Sequence, residues 1–237
     1  MTSPARRGRG TMAIVPAGGI GRRMGGTRPK QYLSVGGTPL IVHTVRALVR
    51  VAEGVVVAAP AAHLEATRRL FARYRTPRVL AVVAGGAERQ ESVWLALAAV
   101  PEAAQWVIVH DAVRPFVTAA LVERVLDAAR MRGAATCGIA VRDTVKRVRD
   151  GLIQSTLDRE GLWLTQTPQA FRRELLWEAH DKARRDGFLG TDDAVLVERL
   201  GAEVAMVPGL PRNLKVTTPE DLAAARQWRG REARGRA

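Results

Sequence analysis

Two rhythms of hydrophobic and polar positions alternate along this chain. Short apolar or β-branched runs at residues 13–15, 54–58, 79–83 and 106–109 are each followed by a segment of helical period, at 40–49, 64–74, 92–99 and 121–129. In the last of these, Leu121, Val122, Val125, Leu126 and Ala129 fall on one helix face. Such alternation joins parallel strands through covering helices. The predicted fold is therefore α/β: a Rossmann-like, open, mostly parallel twisted sheet with helices on both faces. Ligands in these folds sit outside the carboxyl ends of the strands, so the loops after strands carry the functional information.

After Val141 the rhythm changes. Thr144 to Val148 and Leu152 to Leu157 alternate with period two about Asp150-Gly151, a dipeptide suited to a tight hairpin turn. A lone hairpin is marginally stable, so this protruding arm, at about residues 142–160, is expected to serve dimerisation by packing on a second subunit. Strand character returns from Val204. Thr218-Pro219-Glu220-Asp221 then opens a last helix, with an N-cap hydroxyl, proline at the first position and acids in the first turn. No repeat or long linker divides residues 13–228, which read as a single domain.

Composition adjusts this picture little. With 237 residues, 47% of them apolar, the chain can bury one substantial core. The apolar run at 12–17 is too short to span a bilayer and that at 54–64 is interrupted by Pro60, so no membrane partner is expected and a cytoplasmic location is. The single cysteine, Cys137, lies in an apolar context and reads as a buried, inert thiol. The formal charge of +14 suggests a polyanion partner, but location weakens that inference. Arg6, Arg7 and Arg9 give residues 1–12 a charge of +3, and five arginines against Glu232 give residues 226–237 a charge of +4, leaving +7 for the body. The segments 1–12 and 229–237 read as disordered basic tails. A basic RNA-binding module is the remote alternative to an enzyme. Aromatics are only 5% of the chain and no RNA-recognition signature is present, so no specific nucleic acid is expected.

The loop Pro16-Ala17-Gly18-Gly19-Ile20-Gly21-Arg22-Arg23-Met24 follows the first strand. It is not a P-loop, because no Lys-Ser or Lys-Thr follows the last glycine, and Met24 stands where a dinucleotide fingerprint needs its third glycine. What remains is a backbone cradle for a polyphosphate, neutralised by Arg23 and Lys30; the plain alternative is a tight turn with solvated arginines. Asp111 ends the run from Trp106 to His110, where one carboxylate can hold a magnesium ion bridging phosphates, or simply bond loop amides. His110 has no second histidine at ligand spacing and reads as structural. In Gly85-Gly86-Ala87-Glu88-Arg89-Gln90-Glu91-Ser92, the glycines permit close approach to a flat base. Ser92 offers a hydroxyl at the base edge, an N-cap for the 92–99 helix, or both.

PAGGIGRRMGGTRPKQYL resembles the signature of the cytidylyltransferases that act on 2-C-methyl-D-erythritol 4-phosphate. GGAERQESV (85–93), VHDAVRPF (109–116), VRDTVKR (141–147), TLDREGLW (156–163), TPQAF (167–171), TDDA (191–194) and NLKVTTPEDL (213–222) follow in order, so the resemblance runs from residue 13 to 225. It implies a single nucleotidyltransferase domain that transfers CMP from CTP to the sugar-alcohol phosphate. Arg23, Lys30 and Lys215 would be the catalytic cations. Ala17, Gly18 and Gly19, with Gly85, Gly86 and Ser92, would hold the nucleotide. Asp111 and Ala112 would lie on the CTP and magnesium side, with Asp111 as the ligand of Mg2+ or another divalent cation. Arg114 and Thr191 would meet the second substrate, and Thr144 and Arg159 would reach the neighbour's site across a homodimer. Read without the resemblance, Thr144, Arg159 and Arg114 are ordinary exposed residues, Thr191 is an N-cap and Lys215 lies on a strand-like segment. Ala87 departs from the aspartate frequent in the family, so cytosine preference is implied by resemblance more than by residues. A pentitol-phosphate acceptor such as ribitol 5-phosphate is the nearest alternative.

Overall fold

The structure, a computed structural model, describes residues 9–19 and 29–234. At its centre lies a sheet of seven strands: β1 (Thr11–Pro16), β4 (Gly54–Ala59), β5 (Val79–Ala84), β6 (Trp106–Val109), β7 (Ala134–Ala140), β10 (Trp163–Arg172) and β11 (Ala205–Pro208). Across the sheet they stand in the order β11-β7-β10-β6-β1-β4-β5. β1 pairs in parallel with β4 and β6, β4 with β5, and β11 with β7; β10 runs antiparallel to β6 and β7. The mostly parallel sheet expected from the alternation is thus present, with one reversed strand inserted.

Period-two alternation builds two cores from the same strands. Ala13, Val15, Val55, Val57 and Ile108 face one layer; Met12, Ile14, Val56, Ala58, Val107 and Val109 face the other. The first layer holds α1 (Leu40–Leu48), α2 (Leu64–Arg73) and α4 (Ala119–Arg132); in α4 Leu121, Val122, Val125, Leu126 and Ala129 are all buried, as their spacing predicts. The second holds α3 (Arg89–Leu97), α5 (Arg173–Arg185) and α6 (Ala194–Glu198). β2 (Ser34–Val35) and β3 (Thr38–Pro39) form a small hairpin of their own.

Chain order explains where a ligand can bind. From β1 the sheet grows outward through β4 and β5, then returns to the other side of β1 with β6. The crevice between the carboxyl ends of β1 and β6 is the topological switch point, and it is flanked by the loop after Pro16 and by Asp111.

The arm is β8 (Val145–Arg149) paired antiparallel with β9 (Leu152–Leu157), with Asp150 and Gly151 both at positive φ, 51° and 78°, in the turn. It forms a sheet separate from the main one. Three boundaries differ from the sequence reading. Thr11 and Met12, assigned to the tail, are buried in β1. The last helix, α7 (Pro219–Arg234), continues beyond residue 228. α3 begins at Arg89 with Glu88 as its N-cap, so Ser92 lies inside the helix and is not its cap.

Cys137 is fully buried; burial pushes its thiol up to about 12, and its Sγ donates to Pro168 O at 3.4 Å. The start of α7 is capped as expected: Thr218 Oγ1 accepts from Asp221 N at 3.2 Å, while the Asp221 carboxylate accepts from Thr217 N, Thr217 Oγ1 and Thr218 N. This cap matters for the switch-point crevice, because Val216, one residue after Lys215, is tied by its amide to Val113 O at 2.9 Å. Asp221→Ala removes three acceptor contacts and is expected to cost about 1 kcal/mol, read as a lower urea midpoint with unchanged slope.

Candidate active site

Two cavities open at the switch point and share a wall. One, about 240 Å³, is lined by Ala17, Gly18, Gly19, Lys30, Gly86 and Ala112 among others. The second, about 250 Å³, is bounded by Arg114, Thr165, Gln169, Thr191 and Asp192 among others. Arg89, Asp111 and Lys215 line both. A larger groove of about 840 Å³ lies along the outer edge of β5, but among the described residues Arg68 and Arg75 are its only charged lining groups and it holds no carboxylate.

Asp111 stands at the centre of this shared wall. Its Oδ1 meets Arg89 Nε at 3.1 Å; its Oδ2 meets Lys215 Nζ at 2.9 Å and Arg114 Nε at 3.4 Å. Burial opposes ionisation of this carboxyl, but Arg89, Lys215 and Arg114 outweigh it and hold the group well below the usual carboxylate range. Arg114 is itself fixed, with its Nη1 donating to Asn213 O at 2.8 Å. It is buried, not the exposed loop residue of the plain reading. Lys215 belongs to an irregular segment between β11 and α7, not to a strand.

His110 orders the Asp111 turn. Its ring is fully buried, with Nε2 3.2 Å from Arg114 O and Nδ1 3.0 Å from Thr167 Oγ1, which also accepts from Asp111 N at 3.0 Å. A carbonyl can only accept, so Nε2 carries the proton and Nδ1 accepts from the threonine. The structural role expected from the lack of partner histidines is the observed one.

Two of the cradle glycines also have a packing reason that the sequence did not show. A Cβ on Gly18 or on Gly85 would lie 2.9 Å from Ser92 Oγ, so both are glycine because two loops close on that hydroxyl. Ser92 is buried; its hydroxyl donates to Glu88 O at 3.0 Å and accepts from Gly86 N at 3.1 Å. It shapes the loop with most of its hydrogen-bonding capacity. Gly19 has open space where its side chain would be. The Ala17 carbonyl accepts from the buried Gln31 Nε2 at 2.6 Å, which holds the strand-to-loop exit in place. Over Gly86, the Glu91 side chain folds back and accepts from Ala87 N at 2.8 Å.

Of the residues singled out in the sequence, Ala17, Gly18, Gly19, Gly86, Ser92, Lys30, Asp111, Ala112 and Lys215 line the first cavity, and Arg114 and Thr191 the second. Thr191 is exposed and is not a helix cap; Asp192 Oδ1 accepts from Val195 N at 3.0 Å instead. Arg23 lies outside the described residues. Thr144 and Arg159 are exposed and line neither cavity of their own chain, and Arg159 Nη1 donates to Arg142 O. Three residues escaped the sequence reading: Arg89, Gln31 and Gln169. All lie inside the motifs quoted above, and Gln31 is next to Lys30, a residue chosen for its chemistry.

The residues at the shared wall offer little to a divalent ion beyond one carboxylate. Among the described residues no group of three or more His, Cys, Asp or Glu could form a metal cage. A carboxylate has about four lone-pair sites and Asp111 uses three on its cations, leaving one. That suits an ion held chiefly by phosphate oxygens.

Comparison with known proteins identifies the family. The family profile described as IspD, 2-C-methyl-D-erythritol 4-phosphate cytidylyltransferase, matches residues 11–229. A protein of that name from Syntrophus aciditrophicus is 46% identical over 225 residues, covering 93% of this chain and 96% of the relative. One from Symbiobacterium thermophilum is 47% identical over 224 residues, covering 93% of each. The crystal structure of the Thermus thermophilus protein of the same name superposes with a TM-score of 0.77 at 39% identity, covering 92% of this chain and 98% of that one. The chain belongs to the 2-C-methyl-D-erythritol 4-phosphate cytidylyltransferase family.

Proposed function

We propose that this protein transfers CMP from CTP to 2-C-methyl-D-erythritol 4-phosphate, giving 4-diphosphocytidyl-2-C-methyl-D-erythritol and pyrophosphate in the non-mevalonate route to isoprenoids. The observation that carries this reading is the pair of cavities with a common wall of Arg89, Asp111 and Lys215. Two reactants seated on either side of that wall meet at its cations.

In this reading the acceptor's phosphate oxygen attacks the α-phosphorus in line, and the oxygen bridging to the β-phosphorus leaves with pyrophosphate. A phosphate monoester is already anionic near neutrality, so no general base is needed. The work of the protein is to align two mutually repelling anions and to stabilise charge on the departing oxygen. Backbone groups of Ala17, Gly18 and Gly19, with Arg23 and Lys30, hold the triphosphate; Gly85, Gly86, Ser92 and Ala112 shape the base and ribose side. Lys215 serves both reactants from the shared wall. Arg114 and Thr191 receive the acceptor. Magnesium or another divalent ion, arriving with the nucleotide and touching Asp111, would neutralise phosphate charge.

The arm supports an assignment as a homodimer. Val148, Leu152 and Ile153 are 55%, 69% and 64% exposed on it, a set of apolar side chains that a second copy would cover. From such a copy Thr144 and Arg159 reach the neighbour's acceptor cavity, where an arginine grips a phosphate in two places. No helix among the described residues is long and apolar enough to cross a membrane, and a cytoplasmic location is part of this proposal.

Incubated with CTP, Mg2+ and the methylerythritol phosphate, the protein is expected to release pyrophosphate; absence of release at high enzyme concentration rejects the reading. Ribitol 5-phosphate, run beside it, should give the lower kcat/KM, and the reverse ranking would replace the acceptor. Lys215→Gln should lower kcat by about 100-fold or more.

A second expectation concerns acid. Burial lowers the His110 pKa to about 4, against about 6.5 for an unfolded-chain histidine. Between these values the unfolded state binds the extra proton, so this site's contribution is complete above about pH 6.5 and is lost as pH falls toward 4. The loss amounts to about 3 kcal/mol. Urea unfolding across pH 4–7 without nucleotide should show this slope, and His110→Asn should flatten it.

A further inference from the structure

The outer wall of the acceptor cavity belongs to the loop at residues 188–193, which follows α5 and presents Thr191 and Asp192 to it. Gln169 of β10 holds the far end of this loop, at Asp192 and Asp193, and the first turn of α3, about a hundred residues away in sequence, holds it on both sides of Thr191. Gln90 Nε2 donates to Phe188 O at 3.0 Å, and Gln90 Oε1 accepts from Gly190 N at 2.8 Å. Arg89 Nη1 pairs with Asp193 Oδ2 at 2.8 Å. Two consecutive residues thus hold the loop on both sides of Thr191.

Charge balance explains part of the Arg89 contact, since Arg89 faces the buried Asp193, but not its reach to Asp111 as well, and it explains nothing of the uncharged Gln90 contacts. Lys215 and Arg114 already face the Asp111 carboxylate, so Arg89 is surplus to its neutralisation. Its second partner, Asp193, is 1% exposed and backed by His180, whose Nε2 lies 3.1 Å from Asp193 Oδ1 and which is itself fully buried. Burying ion pairs in this way adds little net stability compared with apolar packing. Gln90 is half-buried, and water could serve the Phe188 carbonyl and the Gly190 amide in its place. What these bonds do fix is position. Gly190 has no room for a side chain, since a Cβ there would lie 2.7 Å from both Leu196 and Val195, so the loop runs tight against α6 while α3 holds its other side. The same turn of α3 borders the nucleotide cavity through Arg89 and the Gly86–Ser92 bond.

Resting on the transfer reaction above, we propose that Arg89 and Gln90 are positioning residues that clamp the 188–193 loop, and with it Thr191, in register with the bound nucleotide. The acceptor is the substrate that feels the Gln90 half of the clamp, because Gln90 lines neither cavity, whereas Arg89 borders both.

Three measurements on Gln90→Ala and Arg89→Lys test this: CTP affinity by calorimetry without acceptor, acceptor KM and kcat by pyrophosphate release, and amide exchange across 188–193. Gln90→Ala should raise the acceptor KM about tenfold, the equivalent of about one lost hydrogen bond, with the CTP Kd within about twofold. Exchange at Gly190 should quicken by a similar factor while thermal unfolding stays within a few degrees. Arg89→Lys, which keeps the charge but cannot span two carboxylates, should raise the acceptor KM further and lower kcat. The double variant should cost less than the two singles together, because both act on one loop. Unchanged acceptor KM in Gln90→Ala, or a CTP Kd weakened by the same factor, overturns the proposal, as does unaltered exchange at 188–193. A wild-type protein that releases no pyrophosphate would overturn the transfer reading instead, and the exchange result would still decide whether the clamp exists.

Discussion

A single buried carboxylate, Asp111, organises the catalytic end of this molecule. Its three cationic partners come from the start of α3, from the turn after β6 and from the irregular segment before α7. Asp111 and Arg114 are buried and would be costly to bury alone, and removing one member of a buried pair typically costs about 3–5 kcal/mol. The chain must therefore bring segments about a hundred residues apart to one point or leave an uncompensated charge. His110 and Thr167 meet the same constraint from below, fixing the amide of Asp111, while Asn213 fixes Arg114 and bonds Thr167 O at 2.7 Å. The switch point of the sheet supplies the crevice, and this network determines what faces into it.

The central strands were legible because they are written in residues with one dominant use. Ala13-Ile14-Val15 and Val55-Val56-Val57 have no satisfactory place except a strand buried on both faces. β10 was not legible for the opposite reason. Thr165-Gln166-Thr167-Pro168-Gln169 is polar and carries a proline, yet it crosses the middle of the sheet, with the register shifting between Gln166 and Ala170. Its polar side chains are tolerated because they are bonded: Gln169 donates to Thr136 Oγ1 and Asp192 Oδ2 and accepts from Asp193 N and Ala194 N. No local pattern announces such partners, which exist only once distant loops are in place.

Site residues divide along the same line. Asp111 and the cradle glycines could be picked out because their types and their place after strands suggest chemistry. Ser92 does line the first cavity but is not a cap, because a serine shortly downstream of a strand and two glycines fits both patterns and only the true helix start at Arg89 separates them. Arg89 was overlooked because, in a chain with 37 lysines and arginines, one more arginine in a first turn carries no distinguishing mark. The departure at Ala87 also looks different in three dimensions. A carboxylate does reach that backbone position, from Glu91, although it bonds the amide and is not among the residues lining the cavity.

The charge count at the shared wall shows why acids accompany the cations. Arg89, Arg114 and Lys215 oppose Asp111 and Asp193, so the described cluster keeps one net positive charge before any phosphate arrives. Three cations this close, without carboxylates between them, would repel one another and drift toward solvent, and each substrate would then have to gather them. With the carboxylates in place the cations are held ready, and phosphates bound as proposed would compete for groups whose positions are already set. Stabilisation of developing charge depends on donors that need not move when the charge appears. The buried acids are therefore as much a part of the proposed anion site as the bases.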